Sequence, residues 1–360
     1  MNNYQNPNGQ FGGWGQNNIP YGANYAQNNG YSPYYNEQYL KQQEKKKDKK
    51  ILRKMGNRFG LAIIAYVFLS LVMSLMISLL SEFIPRLNLI YEDSIASFAY
   101  TVLGSVIYIG VPFGVVYLTL KSGKLTGNLP FGTVYNRKAA VFLTMFMVPI
   151  MLISSMVVNA ISLVIQSLIG VEFTSGLEDL QMNGVGGVLM GIVSMAIVPA
   201  IIEEFAVRGV VMQPLRRYGD GFAIVASAFI FSIMHGNMAQ IPYTVVGGVY
   251  LGYLTIATGS IWPSIILHFI NNLYSVIIMA VDSNFGENSS YIAVVIMMVM
   301  FVISGIVGGI GFFSMNYKTK LAKGVDSLKA GDKISSLFGN VPMVIAIIIM
   351  VVITLTSIES

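Results

Sequence analysis

Beyond residue 58 the chain is a succession of long apolar runs divided by short polar links, while the residues before it are polar almost throughout. A hydrocarbon core about 30 Å thick requires a helix of about 20 apolar residues. Runs of that order stand near 59–80, 95–120, 139–168, 185–210, 222–239, 243–258, 262–281, 291–315 and 341–358. These nine candidates predict an all-α, polytopic membrane protein of about eight to nine transmembrane helices. Residues 1–44 differ in kind. Asn, Gln, Gly and Tyr dominate them, and such a mixture cannot bury enough apolar area to offset the entropy of ordering. The expected division is a disordered tail over 1–50 with a Lys-rich end, then a transmembrane domain over 51–358. The first apolar run begins near Phe59 and is long enough to span, which argues against a signal peptide.

Composition narrows the class further. Only 11% of the 360 residues are charged, 54% are hydrophobic, and the mean hydropathy is +0.64. A soluble chain carries about 25% charged residues, so too few polar side chains remain to coat a water-facing surface. A soluble globular protein and a nucleic-acid binder are both excluded. The formal charge of +5 is unevenly spread. Up to residue 58 there are nine Lys or Arg against three acids, a balance of +6, and the remainder stands at −1.

The stretch Lys41–Lys54 lies directly before the first span, where cations favour the cytoplasmic side and its anionic lipids. It is expected to anchor the topology. With the N-terminus cytoplasmic, Lys121, Lys124, Arg137, Lys138, Arg216, Arg217, Lys318, Lys320, Lys323, Lys329 and Lys333 all fall in cytoplasmic loops. Arg86 alone faces the other side, with Glu82, Glu92, Asp93, Glu172, Glu178, Asp179, Asp282 and Glu287. That partition favours an odd number of spans in a multi-pass protein of the cell membrane. Glycine pairs at four-residue spacing, Gly187/Gly191, Gly248/Gly252 and Gly305/Gly309, are expected to pack helices within the chain. The absence of cysteine excludes disulfides, a thiol nucleophile and Cys-ligated metal.

Ionisable residues inside apolar spans carry a free-energy penalty unless paired or facing a polar cavity, so they mark candidate sites. Glu203, Glu204 and Arg208 lie in the fourth run, His235 ends the fifth, and His268 with Asn272 lies in the seventh. The chain has only two histidines, and both are in this set. Glu204 and Arg208 are i,i+4 neighbours that can form a structural ion pair along one helix face. Glu203 is turned about 100° away and is left as a candidate general base. His268 and Asn272 share a face and can aim two N–H groups at one point, as an oxyanion requires.

Counted from the expected cytoplasmic ends, however, His268 and His235 lie at depths of about 9 and 21 Å. Broken or tilted helices near Pro199, Pro214, Pro242 and Pro263 would reconcile them. No His-Glu-x-x-His helix or Gly-x-Ser-x-Gly elbow occurs. Glu203, His235 and His268 remain an alternative zinc set. A non-enzymatic transporter or immunity scaffold, using the same groups as a proton or ligand site, is the alternative to an enzyme.

Three segments, Glu203-Glu204-Phe205-Ala206-Val207-Arg208-Gly209, Phe231-Ser232-Ile233-Met234-His235 and His268-Phe269-Ile270-Asn271-Asn272, follow one another in order. Together they resemble the CPBP intramembrane proteases, whose pattern is Glu-Glu-x-x-x-Arg, Phe-x-x-x-His and His-x-x-x-Asn. That family includes type II CAAX prenyl endopeptidases and bacterial proteins tied to bacteriocin processing or self-immunity. The resemblance covers 184–280 and implies a catalytic core around an intramembrane cavity open to the cytoplasm. It implies a metal-independent protease without cofactor, acting on a membrane-associated peptide or protein. In that scheme Glu203 activates water, His235 orients it, His268 and Asn272 stabilise the oxyanion, and Glu204 with Arg208 holds the motif helix. Membrane lipids are the other expected partners, and no nucleic acid is.

Overall fold

The computed structural model describes residues 33–84, 94–175 and 182–359. Among these described residues ten helices follow one another: α1 (Pro33–Phe83), α2 (94–122), α3 (Arg137–Ile169), α4 (Gly184–Tyr218), α5 (Asp220–Ile233), α6 (Ile241–Thr258), α7 (Trp262–Phe285), α8 (Glu287–Ser314), α9 (Ala330–Phe338) and α10 (Val341–Leu355). Seven are long and apolar enough to cross a membrane, or eight if α9 and α10, bent by 76° at their junction, form one span. Among the described residues the only strands are β1 (Glu172–Phe173) and β2 (Ile358–Glu359), which pair antiparallel. The molecule is an all-α polytopic membrane protein. Exposed Val295, Val299, Ile303, Ile306 and Ile310 on α8 form the kind of apolar stripe that lipid covers and water would not.

Eight of the nine candidate runs are met when α9 and α10 count as one span, within the expected eight to nine, and one run is not. The run at 222–239 becomes α5, only 14 residues long and too short to span by itself. Most of its side chains, from Ala223 to Ile233, are buried in the bundle, so protein rather than lipid sets its length. It still carries the chain between the two ends of the bundle. Hydrogen bonds Asp220 N to Ala322 O (3.0 Å) and Val325 N to Arg217 O (3.0 Å) hold its start at the end rich in basic loops. Met238 N donates to Ser357 Oγ (2.9 Å), beside the β1–β2 pair, at the opposite end.

The tail also departs from expectation. Residues 1–32 lie outside the described residues, as do Arg86, Glu92, Asp93, Glu178 and Asp179. Residues 33–50, expected to be disordered, belong instead to α1. The Lys-rich stretch folds because it finds partners: Lys45 and Lys49 bind Asp332 at 2.8 and 2.6 Å, and the nearly buried Asp48 binds Arg217 at 2.9 Å. From there a stripe at helical spacing, Leu52, Met55, Phe59 and Ile63, enters the core. Gly56 and Gly60 let the α9–α10 junction lie directly on α1, since a Cβ at either would run into the Leu337 or Met343 backbone. Gly248 and Gly252 do the same between α6 and α5, as Gly305 and Gly309 do between α8 and α3.

Among the described residues three π-helical stretches interrupt the spans, and each is followed by a proline two residues on. They are Ser105–Gly110 before Pro112, Ile192–Ile197 before Pro199 and Phe205–Met212 before Pro214. Proline has no N–H to return to the carbonyl four residues back, and the preceding turn widens to take up the lost bond. Pro242 and Pro263, by contrast, occupy the first turns of α6 and α7, where the missing donor does no harm.

Candidate functional site

Glu203 and Glu204 end the short α-helical piece Val198–Glu204, which sits between the two π-helical stretches of α4. Glu204 is fully buried, and its Oε1 accepts from Arg208 Nη1 at 2.8 Å. Arg208, equally buried, donates through Nη2 to Gly248 O at 3.0 Å and stands 4.7 Å over the Phe231 ring. The ion pair thus fastens α4 to both α5 and α6.

His268 Nδ1 is 3.0 Å from the same Glu204 Oε1, and its Nε2 is 3.7 Å from Glu203 Oε2. His235 Nδ1 lies 3.0 Å from Phe231 O. A carbonyl can only accept, so this nitrogen carries the hydrogen, and in the neutral form of the ring Nε2 is then the lone pair. The Phe231 ring stands edge-on to both imidazoles, with centroids 4.8 Å from His235 and 5.8 Å from His268. Both histidines therefore flank one phenylalanine.

The two rings meet the same phenylalanine although their counted depths differ; α7 begins at Trp262, which is 49% exposed. The turn before it is buried, with Ser260 and Ile261 at 0% exposure, beneath residues 130–135. Ile261 N donates to Pro130 O at 2.8 Å, Tyr135 N to Thr258 O at 2.9 Å and Ser260 Oγ to Gly132 O at 2.8 Å.

A cavity of about 200 Å³ opens beside these groups. Glu203 and Val207 of α4 form one wall, and Phe231, Met234, His235, Asn237 and Gln240 from the end of α5 and its following turn form another. Tyr66 of α1 and Ile109 of α2 close it. Of the residues singled out in the sequence, Glu203 and His235 face this space, and His268 stands behind Glu203. Asn272 is not among the walls, and its Oδ1 accepts from Asn271 Nδ2 at 3.3 Å. Glu204 holds the Nδ1 side of the His268 ring and leaves its Nε2 toward Glu203. Tyr66 and Gln240 went unnoticed in the sequence; the signal for Tyr66 was its standing as the single tyrosine of the 59–80 run.

Among the described residues, no three His, Asp or Glu side chains are grouped so as to hold a metal ion. Glu203, His235 and His268 are not so grouped; the bonds at the two Nδ1 atoms leave each Nε2 as the nitrogen a metal would take.

Residues 185–274 match the family model described as Type II CAAX prenyl endopeptidase Rce1-like. The match covers a quarter of the chain and contains all three motifs, so this part of the chain is similar to the type II CAAX prenyl endopeptidases. Nothing among curated proteins or solved structures matches the chain.

Proposed function

We propose that the protein is an intramembrane endopeptidase that hydrolyses a peptide bond with water activated by Glu203. The observation that carries this reading is the shared cavity of Glu203 and His235. The Glu203 carboxylate and the His235 Nε2 are both acceptors, so one water can give a hydrogen to each and turn its lone pair toward a carbonyl carbon. Glu203 takes the proton as the C–O bond forms. It returns that proton to the leaving nitrogen as the C–N bond breaks, releasing a carboxylic acid and an amine. His268, tied to Glu204, backs Glu203 on the side away from the cavity.

The substrate is a membrane-associated peptide or protein, because the reacting groups lie among spanning helices. Bacteriocin-like membrane peptides are the first class to test. The N-terminus is cytoplasmic in this reading, since Lys45, Lys49, Arg217 and the basic loops gather at one end. No metal or cofactor takes part in the scheme, and membrane lipids are its only other partners.

The test uses the purified full chain with a set of internally quenched fluorogenic peptides. Glu203→Gln should lower turnover about 10²- to 10⁴-fold, the usual contribution of a positioned base, with no change in thermal unfolding. Cleavage by that variant at the wild-type rate would defeat the assignment.

A further inference from the structure

The cavity is closed toward one end of the bundle. Glu203 on α4 and His235 after α5 lie about four helical turns of 5.4 Å from Arg217 and Asp220, at the end that carries the basic loops. Apolar side chains fill that length: Phe59 and Ile63 of α1, Phe113 and Val116 of α2, Val211 of α4 and Ile230 of α5 are buried in one contiguous cluster. Beside α7 the link 130–135 closes the same end, through Ile261 N to Pro130 O at 2.8 Å and Ser260 Oγ to Gly132 O at 2.8 Å. The polar walls lie on the other side. Asn237 and Gln240 stand partly exposed in the turn after α5, and Met238 N ties that turn to Ser357 Oγ at 2.9 Å, away from the basic loops. There α5, α6 and α10 each have an end. By contrast, α1 runs on about five turns past Tyr66, and α4 starts about five turns before Glu203. Gly184 N donates to Asn284 Oδ1 at 2.8 Å, so α4 and α7 meet at that far end. Fewer helices therefore surround the space beyond the site than the space between it and the basic loops.

A peptide carries a polar donor and acceptor at nearly every residue, and a packed apolar cluster offers partners to neither. Water meets the same barrier. We propose that substrate and water reach Glu203 and His235 from the end of the bundle opposite the basic loops, so that the bond cleaved belongs to a segment on the outer face of the membrane. This rests on the peptidase reading above and adds to it the side on which the substrate is met. Lys45, Lys49, Arg217 and Lys333 gather at the closed end, and such loops stay in the cytoplasm. The open end then faces outward, the reverse of the cytoplasm-facing cavity that the resemblance in sequence implies. The substrate that fits is a membrane-anchored polypeptide with an extended outer segment, and a cytoplasmic tail does not fit.

The chain has no cysteine, so single substitutions report access without background. Bacterial cells carrying the full chain are treated with a small membrane-impermeant thiosulfonate, before and after lysis. The variants are Gln240→Cys on the cavity wall, Glu287→Cys at the far end and Lys323→Cys in a basic loop. Ala239→Cys, in the same turn, replaces Gln240→Cys if that variant does not accumulate. Gln240→Cys and Glu287→Cys should react in intact cells, and Lys323→Cys only after lysis. In parallel, the quenched peptides are added to sealed right-side-out and inside-out membrane vesicles carrying wild type or Glu203→Gln. Wild-type cleavage should appear in right-side-out vesicles and be lost in inside-out ones. Reaction of the cavity-wall cysteine only after lysis or not at all, or cleavage only in inside-out vesicles, overturns the proposal; the Glu203 reading stands in that case if Glu203→Gln is inert. If detergent-purified wild type cleaves no peptide either, the peptidase reading itself fails and takes this proposal with it.

Discussion

The Nδ1 of His268 lies 3.0 Å from Oε1 of Glu204, the oxygen that also receives Arg208 Nη1 at 2.8 Å. One carboxylate atom therefore joins α4 to α7 and fixes an imidazole. Glu204→Gln preserves the shape but strips the counter-charge from a guanidinium with no exposed surface. Breaking a buried pair from one side costs about 3–5 kcal/mol. The unfolding midpoint of the purified variant should fall sharply, and a midpoint equal to wild type would mean that Arg208 does not depend on this partner.

How much of this was legible in the sequence depends on the range of each interaction. Glu204 and Arg208 are one helical turn apart, so their pairing follows from spacing alone. The motif order also brought Glu203, His235 and His268 to one neighbourhood, because buried polar groups in lipid have few other places to go. Tyr66 reaches the cavity from a helix far away in sequence, and no local pattern encodes that approach. The folding of Lys45, Asp48 and Lys49 was hidden for the same reason: Asp332 and Arg217 are distant in the chain. Composition described the segment alone, without the surface it docks on.

Phe231 is the common wall of the site, in contact with Arg208, His235 and His268 at 4.7, 4.8 and 5.8 Å. Phe231→Leu keeps the apolar volume approximately but loses the ring faces and edges. The expected effect is about 2 kcal/mol of stability together with a loss of turnover. Phe229→Leu is the comparison, since Phe229 packs edge-on against Phe338 at 5.4 Å and is 40% exposed on the outer side. Equal turnover loss in both variants would remove Phe231 from any role at the site.

Gly248 has no room for a side chain, because an added Cβ would stand 2.9 Å from Ala228 Cβ and 3.0 Å from its Cα. Its carbonyl also receives Arg208. Forcing α5 and α6 apart should cost about 1–3 kcal/mol in Gly248→Ala. Ala228→Gly in the same chain removes the nearer obstacle and should recover part of that loss. A double-mutant cycle on unfolding midpoints reads the coupling, and strict additivity would show that the two helices do not meet there.

Asp332 gathers Lys45 at 2.8 Å and Lys49 at 2.6 Å, tying α9 to the first turns of α1 that precede the membrane-spanning part. Hydrogen bonds from these two lysines hold its carboxyl down to about 2, from an ordinary 3.8. A carboxyl lowered on folding stabilises fully above its ordinary value, and that contribution is lost as pH falls toward the depressed one. The clasp should therefore be constant from about pH 5 to 8 and open only in strong acid. Both lysines are well exposed, at 39% and 41%, so salt should loosen the clasp at neutral pH where acid does not. Hydrogen exchange over Lys41–Lys54 in the full chain measures it: exchange should quicken on going from low salt to about 1 M. Asp332→Asn should show the quick exchange already at low salt. The more enclosed Asp48–Arg217 pair, with Asp48 at 9% exposure, would still hold the segment in place. An exchange rate in Asp332→Asn equal to wild type at low salt would show that the two lysines do not secure α1.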